Sequence, residues 1–337
     1  MSATVSRILR YSCVDGPGNR LVVFLQGCNF ACPTCHNPHT RGLCNACGDC
    51  IAACPRGALT LEQVALDHRE PARVTCDPGM RPPAPRRAHT RPPGRTHALG
   101  AGTDGSGQGQ LALKADRIVF DASACDGCDA CLRACPISAN PMVQRLEVAD
   151  ILAMVRANLP FLSGLTLSGG EALMQRKFVL ALFAALKADP DLAHLTRFID
   201  TNGHLAAAGW RGLLEVTDGV MLDIKAFDPG LHRVLTGRDN RLSLRAGAQL
   251  AEAGRLYELR FLMIPGRTDT AAELARLVAY VRGLGAGTRV RLNAFQHHGV
   301  QGAARDWPKM TRARMDEVAG QLRAAGLRHV VTPVVWL

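Results

Sequence analysis

The sequence predicts an α/β protein, six β/α units around a parallel sheet, with a cysteine-dense insertion near its start. Three observations predict it. Short β-rich runs alternate with helical segments beyond about residue 145, a spacing that implies parallel strands joined by right-handed crossovers. Polar signatures fall at the carboxyl ends of those runs, where open barrels and doubly wound sheets both gather their function. Two islands, residues 44–54 and 125–135, hold eight of the 13 cysteines.

The elements follow in order. "RLVVFLQ", residues 20–26, supplies the first strand. Later strands are expected at Leu165–Leu167, Thr196–Ile199, Val220–Ile224, Leu256–Ile264 and Arg289–Leu292. Helical segments are expected near 147–158, 176–188, 207–215, 240–253, 271–284 and 311–325. The loop "GCNFACPTCHNP" follows the first strand, "SGGE" (Ser168–Glu171) the second and "DTNG" (Asp200–Gly203) the third. "DIK" (Asp223–Lys225) closes the fourth, "RFLMIPG" (Arg260–Gly266) the fifth, and "NAFQHHG" (Asn293–Gly299) follows the sixth. One face thus collects most of the polar chemistry.

A chain of 337 residues with 47% apolar content can build one large domain or two ordinary ones. Its N-terminus has no apolar stretch of signal-peptide length, and the longest apolar run, Phe178–Leu186, is well short of the roughly 20 residues of a spanning helix. The expectation is a cytoplasmic protein with no membrane partner. Thirteen cysteines in such a chain point to metal ligation rather than disulfides. The formal charge of +11 is drawn partly from residues 66–115, which hold eight Arg/Lys against four Asp/Glu, and ligating thiolates would lower it further. With aromatics at 5% and no interleaved basic stripe, no nucleic-acid partner is expected.

From Asp67 to Gln110 proline, glycine and arginine dominate without apolar periodicity, the composition of a disordered linker. It separates the two islands. Cys44, Cys47, Cys50, Cys54 and Pro55 read C-x2-C-x2-C-x3-C-P, and Cys125, Cys128, Cys131, Cys135 and Pro136 repeat it. This is the bacterial two-cluster ferredoxin run, in which the fourth cysteine of each motif ligates the other cluster. Cys44, Cys47, Cys50 and Cys135 are therefore assigned to one [4Fe–4S] centre, and Cys125, Cys128, Cys131 and Cys54 to the other. A pair of zinc ribbons would need only two C-x-x-C pairs and has no use for the third cysteine, the fourth or the proline. Of the remaining cysteines, Cys76 lies in the linker and Cys13 stands alone.

Cys28, Cys32 and Cys35 pose a different problem, because a closed structural site wants four ligands. A cubane held by three cysteines leaves one iron free to bind something else. Their C-x3-C-x2-C spacing resembles the motif of the radical S-adenosylmethionine (SAM) superfamily. Together with "VDGPGNR" (Val14–Arg20), "CHNP" and "SGGE", the chain resembles the glycyl-radical-enzyme activating enzymes. The two-cluster insertion after "CHNP" and the late "RLNAFQHHGV" make it most similar to YjjW-type activases among them.

The resemblance implies a partial (β/α)6 TIM-like radical SAM barrel with an inserted two-cluster ferredoxin-like domain. Residues 1–40 would open the barrel, 41–144 form the insertion with its 67–110 linker, and 145–337 complete the barrel. It implies three [4Fe–4S] clusters and S-adenosylmethionine as cofactors. The implied activity is an oxidoreductase that cleaves SAM reductively to a 5′-deoxyadenosyl radical. That radical abstracts a hydrogen from one glycine of a glycyl radical enzyme, with a flavodoxin or ferredoxin-type electron donor. The competing expectation is a radical SAM enzyme acting on a small molecule or peptide.

Residue by residue, the resemblance gives Gly169, Gly170 and Glu171 to the cofactor's amino group. Asp200 and Asp223, with Thr201 and the Met221 backbone, match positions that in some relatives hold a monovalent cation. Asn202 joins the cofactor contacts, and Lys225, Arg260 and His298 match groups around the carboxylate, ribose and reaction centre. Asp15 lies where relatives touch the substrate glycine loop. Thr34 stands where the superfamily usually places an aromatic residue before the third cysteine, which is Cys35; adenine stacking then falls to Phe30 or His36.

Overall fold

In the computed structural model, the structure describes residues 1–65, 114–285, 287–334 and 336. The expected 67–110 linker and Cys76 lie outside the described residues. Strands β1 (Ser2–Ser12) and β2 (Arg20–Leu25) open the chain. The insertion then supplies α1 (Asp49–Ala53), β3 (Leu59–Ala65), β4 (Lys114–Phe120) and α2 (Ala130–Ala134). Strand β5 (Gln144–Glu147) returns to the main body. The alternating units follow: α3 (Val148–Ala157), β6 (Gly164–Gly169), α4 (Arg176–Ala188), β7 (Thr196–Thr201) and α5 (Leu213–Val216). Next come β8 (Gly219–Ile224), α6 (Pro229–Thr236), α7 (Arg241–Glu252), β9 (Leu256–Met263) and α8 (Ala271–Leu284). The last are β10 (Arg289–Ala294), α9 (Arg312–Ala324) and β11 (His329–Val331).

Nine strands form one sheet in the order β11-β10-β9-β8-β7-β6-β2-β1-β5. From β2 to β11 neighbours pair in parallel, which brings all the predicted polar strand ends to one face. β2, β6 and β8 are buried along most of their length, the pattern of parallel strands covered on both faces. In β6 the first five residues are all buried. Side-chain caps at Asp228, Thr270 and Thr311 start α6, α8 and α9, each accepting a backbone N–H of the first turn. Among the described residues, no helix is long and apolar enough to cross a membrane.

The structure departs from the sequence expectation in several elements. β1, unforeseen, pairs antiparallel with β2, burying Ala3 and Val5, and β5 pairs antiparallel with β1. A short β11 extends the parallel sheet beyond the sixth unit. The helix expected at 207–215 is broken into a 3-10 turn, Ala207–Trp210, and the single-turn α5, because Gly212 adopts φ +77° between them.

Arg20 is the buried charge at the start of β2. Its guanidinium donates to Thr166 Oγ1, Thr196 Oγ1 and the carbonyls of Pro17, Leu165 and Thr196, and lies 4.4 Å from the centre of the Phe198 ring. Burial pulls its pKa down to about 10, with Asp218 and others opposing. Five hydrogen bonds satisfy a group that could not otherwise be buried. The "VDGPGNR" segment is thereby clamped to β6 and β7, which sets where Asp15 stands.

Candidate functional site

The loop after β2 is built on backbone contacts. Gly27 N–H donates to Thr40 O at 2.8 Å and Cys28 N–H to Arg41 O at 3.0 Å. On the other side, Gly170 N–H donates to Leu25 O at 3.0 Å and Glu171 N–H to Gly27 O at 2.8 Å. A Cβ on Gly169 would come within 2.2 Å of Leu25 O, and one on Gly170 within 2.4 Å of Gly27 O. The glycine pair therefore lets β6 run up against the cysteine loop, a closer approach than any side chain permits.

Cys28, Cys32 and Cys35 face a cavity of about 560 Å³. Burial raises the pKa of all three thiols, that of Cys32 to about 11, and for Cys28 the neighbouring Cys32 adds to the effect. Three thiols crowded in a buried pocket resist ionisation unless a cation joins them, so the donor set suits an iron–sulfur centre rather than free thiols. The cavity is also lined by Asp15, Thr34, His36, Gly169, Gly170, Asp200, Asn202, Asp223, Lys225 and His298.

Two residues expected at the cofactor do not line this cavity. Glu171 is buried behind it, where its carboxylate accepts from Leu173 N–H, Thr201 Oγ1 and Asn202 N–H at 2.7 to 2.9 Å. Burial pushes its pKa up to about 7 against those hydrogen bonds. Arg260 lies beneath Asp200, 3.3 Å from its carboxylate, and also pairs with Glu258 at 3.0 Å. Both act on the cavity wall from outside.

The electrostatics of the floor are set by four charges. Burial pushes the Asp200 carboxyl up to about 6, Arg260 counters this, and Asp223 adds to it. Asp200 Oδ2 accepts from Ser168 Oγ at 2.9 Å, while Oδ1 is buried with no hydrogen-bond partner among the described residues. Lys225 pairs with Asp223 at 2.7 Å. Burial disfavours its ammonium, yet Asp223 and Cys32 more than offset this and raise its pKa. Glu258, almost fully buried, accepts from Arg260, Arg289 and Arg291, and holds them in one network.

A late loop closes one side. Gln301 N–H donates to Pro33 O at 2.9 Å. Gly299, at φ +70°, passes so near that a Cβ there would meet His36 O at 2.4 Å. The rings of His36 and His298 meet edge to face at 6.1 Å, whereas His297 turns away to Trp307 O. Phe30 lines the cavity with its ring wedged edge-on between His204 and His232. Sequence reasoning missed Arg41 and Trp336, which also line it. Arg41, following "CHNPHT", was within reach of inspection; Trp336 carried no signal.

The insertion repeats itself in structure. Cys44 Sγ accepts from Ala46 N–H and Cys125 Sγ from Gly127 N–H, both at 3.4 Å. Cys54 Sγ accepts from Ala58 N–H at 3.3 Å and Cys135 Sγ from Ala139 N–H at 3.2 Å. Cys44, Cys47, Cys50 and Cys135 ring one small cavity. Burial pushes the Cys50 thiol up to about 11, with Cys44, Cys135 and Cys47 adding to it. Burial likewise raises Cys131, and the neighbours that add are Cys54 and Cys125. Each island thus sends its fourth cysteine to the other's group. Among the described residues, no three His, Cys, Asp or Glu side chains converge on a single-ion site; these sulfurs surround a space instead.

Comparison with known proteins gives three overlapping family matches. Residues 124–278 match the Radical SAM superfamily, 43–139 a 4Fe-4S dicluster domain and 14–54 a 4Fe-4S single cluster domain. The chain is 30% identical to the (2S)-3-sulfopropanediol sulfolyase activating enzyme of Bilophila wadsworthia, over 80% of this chain and 78% of that one. It is 26% identical to the isethionate sulfite-lyase activating enzyme of Desulfovibrio desulfuricans, over 82% and 78%. To the pyruvate formate-lyase 1-activating enzyme of Escherichia coli K12 it is 33% identical over 46% and 64%.

Proposed function

The chain belongs to the glycyl-radical-enzyme activating enzymes of the radical SAM superfamily, and on that premise we propose that it installs the radical on one glycine of a partner glycyl radical enzyme. The observation that carries this reading is the loop of three thiols, not four, opening on a cavity that Asp200, Asp223 and Lys225 also line. Bound there, a [4Fe–4S] centre and SAM would supply, on one-electron reduction, the 5′-deoxyadenosyl radical that takes hydrogen from the glycine α-carbon.

Cys28, Cys32 and Cys35 would hold that cluster, and the rest of the cavity lining would hold the cofactor. Gly169 and Gly170 present backbone to the cavity where no side chain could stand. Lys225 stays charged in the site and offers its ammonium to a carboxylate. The orphaned Asp200 Oδ1, beside Thr201 and facing Asp223, fits a monovalent cation. Thr34 has no ring to stack on an adenine, which leaves Phe30 and His36, both in the cavity lining, for that contact. Asp15, fixed by Ser12 at 2.5 Å, is the residue we assign to the partner's glycine loop. His298, exposed beside His36, and Asn202 complete the set. The insertion would hold two further [4Fe–4S] clusters, one on Cys44, Cys47, Cys50 and Cys135 and one on Cys125, Cys128, Cys131 and Cys54, fed by a flavodoxin or ferredoxin-type donor.

The experiment is anaerobic reconstitution and reduction, followed by addition of SAM with and without a candidate glycyl radical enzyme. About twelve irons per chain, 5′-deoxyadenosine and a glycyl radical signal in the partner are expected. SAM cleavage with no radical in any partner, but turnover of a small molecule or peptide, would favour the competing substrate class. About eight irons and no cleavage would refute the radical site itself.

A further inference from the structure

The insertion leaves the radical-site loop at residue 41 and comes back against it at residue 139, and one pair of peptide groups joins the two. The Ser138–Ala139 peptide donates its N–H to Cys135 Sγ at 3.2 Å and accepts Gly42 N–H on its carbonyl at 2.9 Å. The Arg41–Gly42 peptide carries the link onward, its carbonyl accepting Cys28 N–H at 3.0 Å. Cys135 and Cys28 are therefore connected by two peptide groups and three hydrogen bonds. A β-bridge between Thr40 and Ala139 runs beside this chain, and Thr40 O accepts Gly27 N–H at 2.8 Å.

The approach depends on glycine. A Cβ on Gly42 would come within 2.1 Å of Ile137 O and 3.0 Å of Ala139 N. Arg41 locks the junction from above, donating to Cys32 O at 3.1 Å, Ser138 Oγ at 3.2 Å and Gln301 Oε1 at 2.6 Å. Nothing about holding a partner protein would require Cys135 and Cys28 to share so short a hydrogen-bonded path. Cys54, Cys125, Cys128 and Cys131 take no part in it.

We infer that these two peptide groups are the electron path into the radical site, and that the centre held by Cys44, Cys47, Cys50 and Cys135 is its immediate donor. Tunnelling falls off less steeply through covalent and hydrogen bonds than through empty space, and this is a bonded route from one ligand to the other. The step is a one-electron transfer: the insertion centre is oxidised by one electron, the radical-site centre is reduced by one, and no bond or proton moves. A low-potential one-electron carrier refills the donor. The inference rests on the three-centre reading above but needs neither the glycyl partner nor SAM cleavage.

The test uses the reconstituted holoprotein without SAM. It is mixed with limiting reduced methyl viologen, freeze-quenched at successive times and read by electron paramagnetic resonance. The radical-site signal is identified as the one missing from Cys28→Ala. In the wild type this signal should rise after those of the insertion. In Gly42→Ala with unchanged iron content, that second phase should slow severalfold while the first is unaltered. A radical-site signal that fills first, or a second phase indifferent to Gly42→Ala, would overturn the inference. Should Gly42→Ala fail to retain its iron, the order of filling in the wild type decides alone.

Discussion

The Asp200 carboxylate and the Arg260 guanidinium form a buried pair at 3.3 Å, with the carboxylate in the cavity wall and the guanidinium behind it. Arg260 is in turn held by Glu258, which Arg289 and Arg291 also grip. The site's acidic wall is thus backed by a positive layer that never meets the cavity through Arg260 itself.

Removing Arg260 should hurt through Asp200. Arg260→Met leaves a buried carboxylate without its counter-charge, and breaking such a pair costs about 3–5 kcal/mol. Asp200→Asn in the same chain removes the orphaned charge, so the double variant should be more stable than the two single losses together imply, with a coupling of about 1–3 kcal/mol. Urea denaturation of the four proteins measures it; strict additivity would show that the pair is not coupled.

Glu171 predicts a pH dependence. Its folded pKa is raised by burial to about 7 from an ordinary 4.5, so the folded protein binds a proton between those values that the unfolded chain has released. Stability should therefore fall as pH rises through that window, by up to about 3 kcal/mol. In Glu171→Gln this slope should flatten. Melting temperature against pH for both proteins reads it directly, and parallel curves would contradict it.

Cys28→Ala should lower iron from about twelve to about eight per chain and abolish 5′-deoxyadenosine formation, leaving the insertion spectra in place. The insertion ligands are all on other segments. Iron analysis with the cleavage assay checks it, and retained cleavage would unseat the radical-site assignment.

The late loop should be intolerant at Gly299. Gly299→Ala adds a Cβ 2.4 Å from His36 O at φ +70°, so it should destabilise by about 1–3 kcal/mol. Because the loop also carries His298 and Gln301, SAM binding should weaken with it. Calorimetric titration of SAM against the reconstituted variant tests this; wild-type affinity would show that the loop is not part of the site.

Shortening residues 67–110 to a brief linker should leave iron content unchanged. β3 and β4 pair in register from Leu59 with Phe120 to Ala65 with Lys114, so the two ends of that segment are already held together. Closing a shorter loop between them costs little entropy. A loss of about four irons on trimming would show the segment to be structural.

How much of this was legible beforehand depends on the distance between partners in the chain. The cysteine islands could be read because their ligand spacing is covalent, and Asp200, Asp223 and Lys225 because strand ends converge by topology. Glu258 could not, since its partners Arg289 and Arg291 lie 31 and 33 residues away on the next strand. Depth was also invisible. Glu171 and Arg260 sit at motif positions, yet hydrogen bonds to Asn202 and Thr201 draw one behind the wall, and Glu258 anchors the other below it. The break at Gly212 is hidden by an otherwise helical composition, and β1 by its antiparallel pairing beyond β2, where the parallel part of the sheet begins.

The exchange of fourth cysteines has a consequence in time. The pocket that Cys44, Cys47 and Cys50 line takes its fourth cysteine, Cys135, from ninety-one residues after the first of them. If Cys135 is the fourth ligand, as proposed above, a nascent chain could not complete that set until the second island had left the ribosome, and loading of the insertion would wait on translation far beyond its first motif. On the same assignment, a cut between the islands would leave the two halves joined by shared metal as well as by the β1–β5, β2–β6 and β3–β4 pairings.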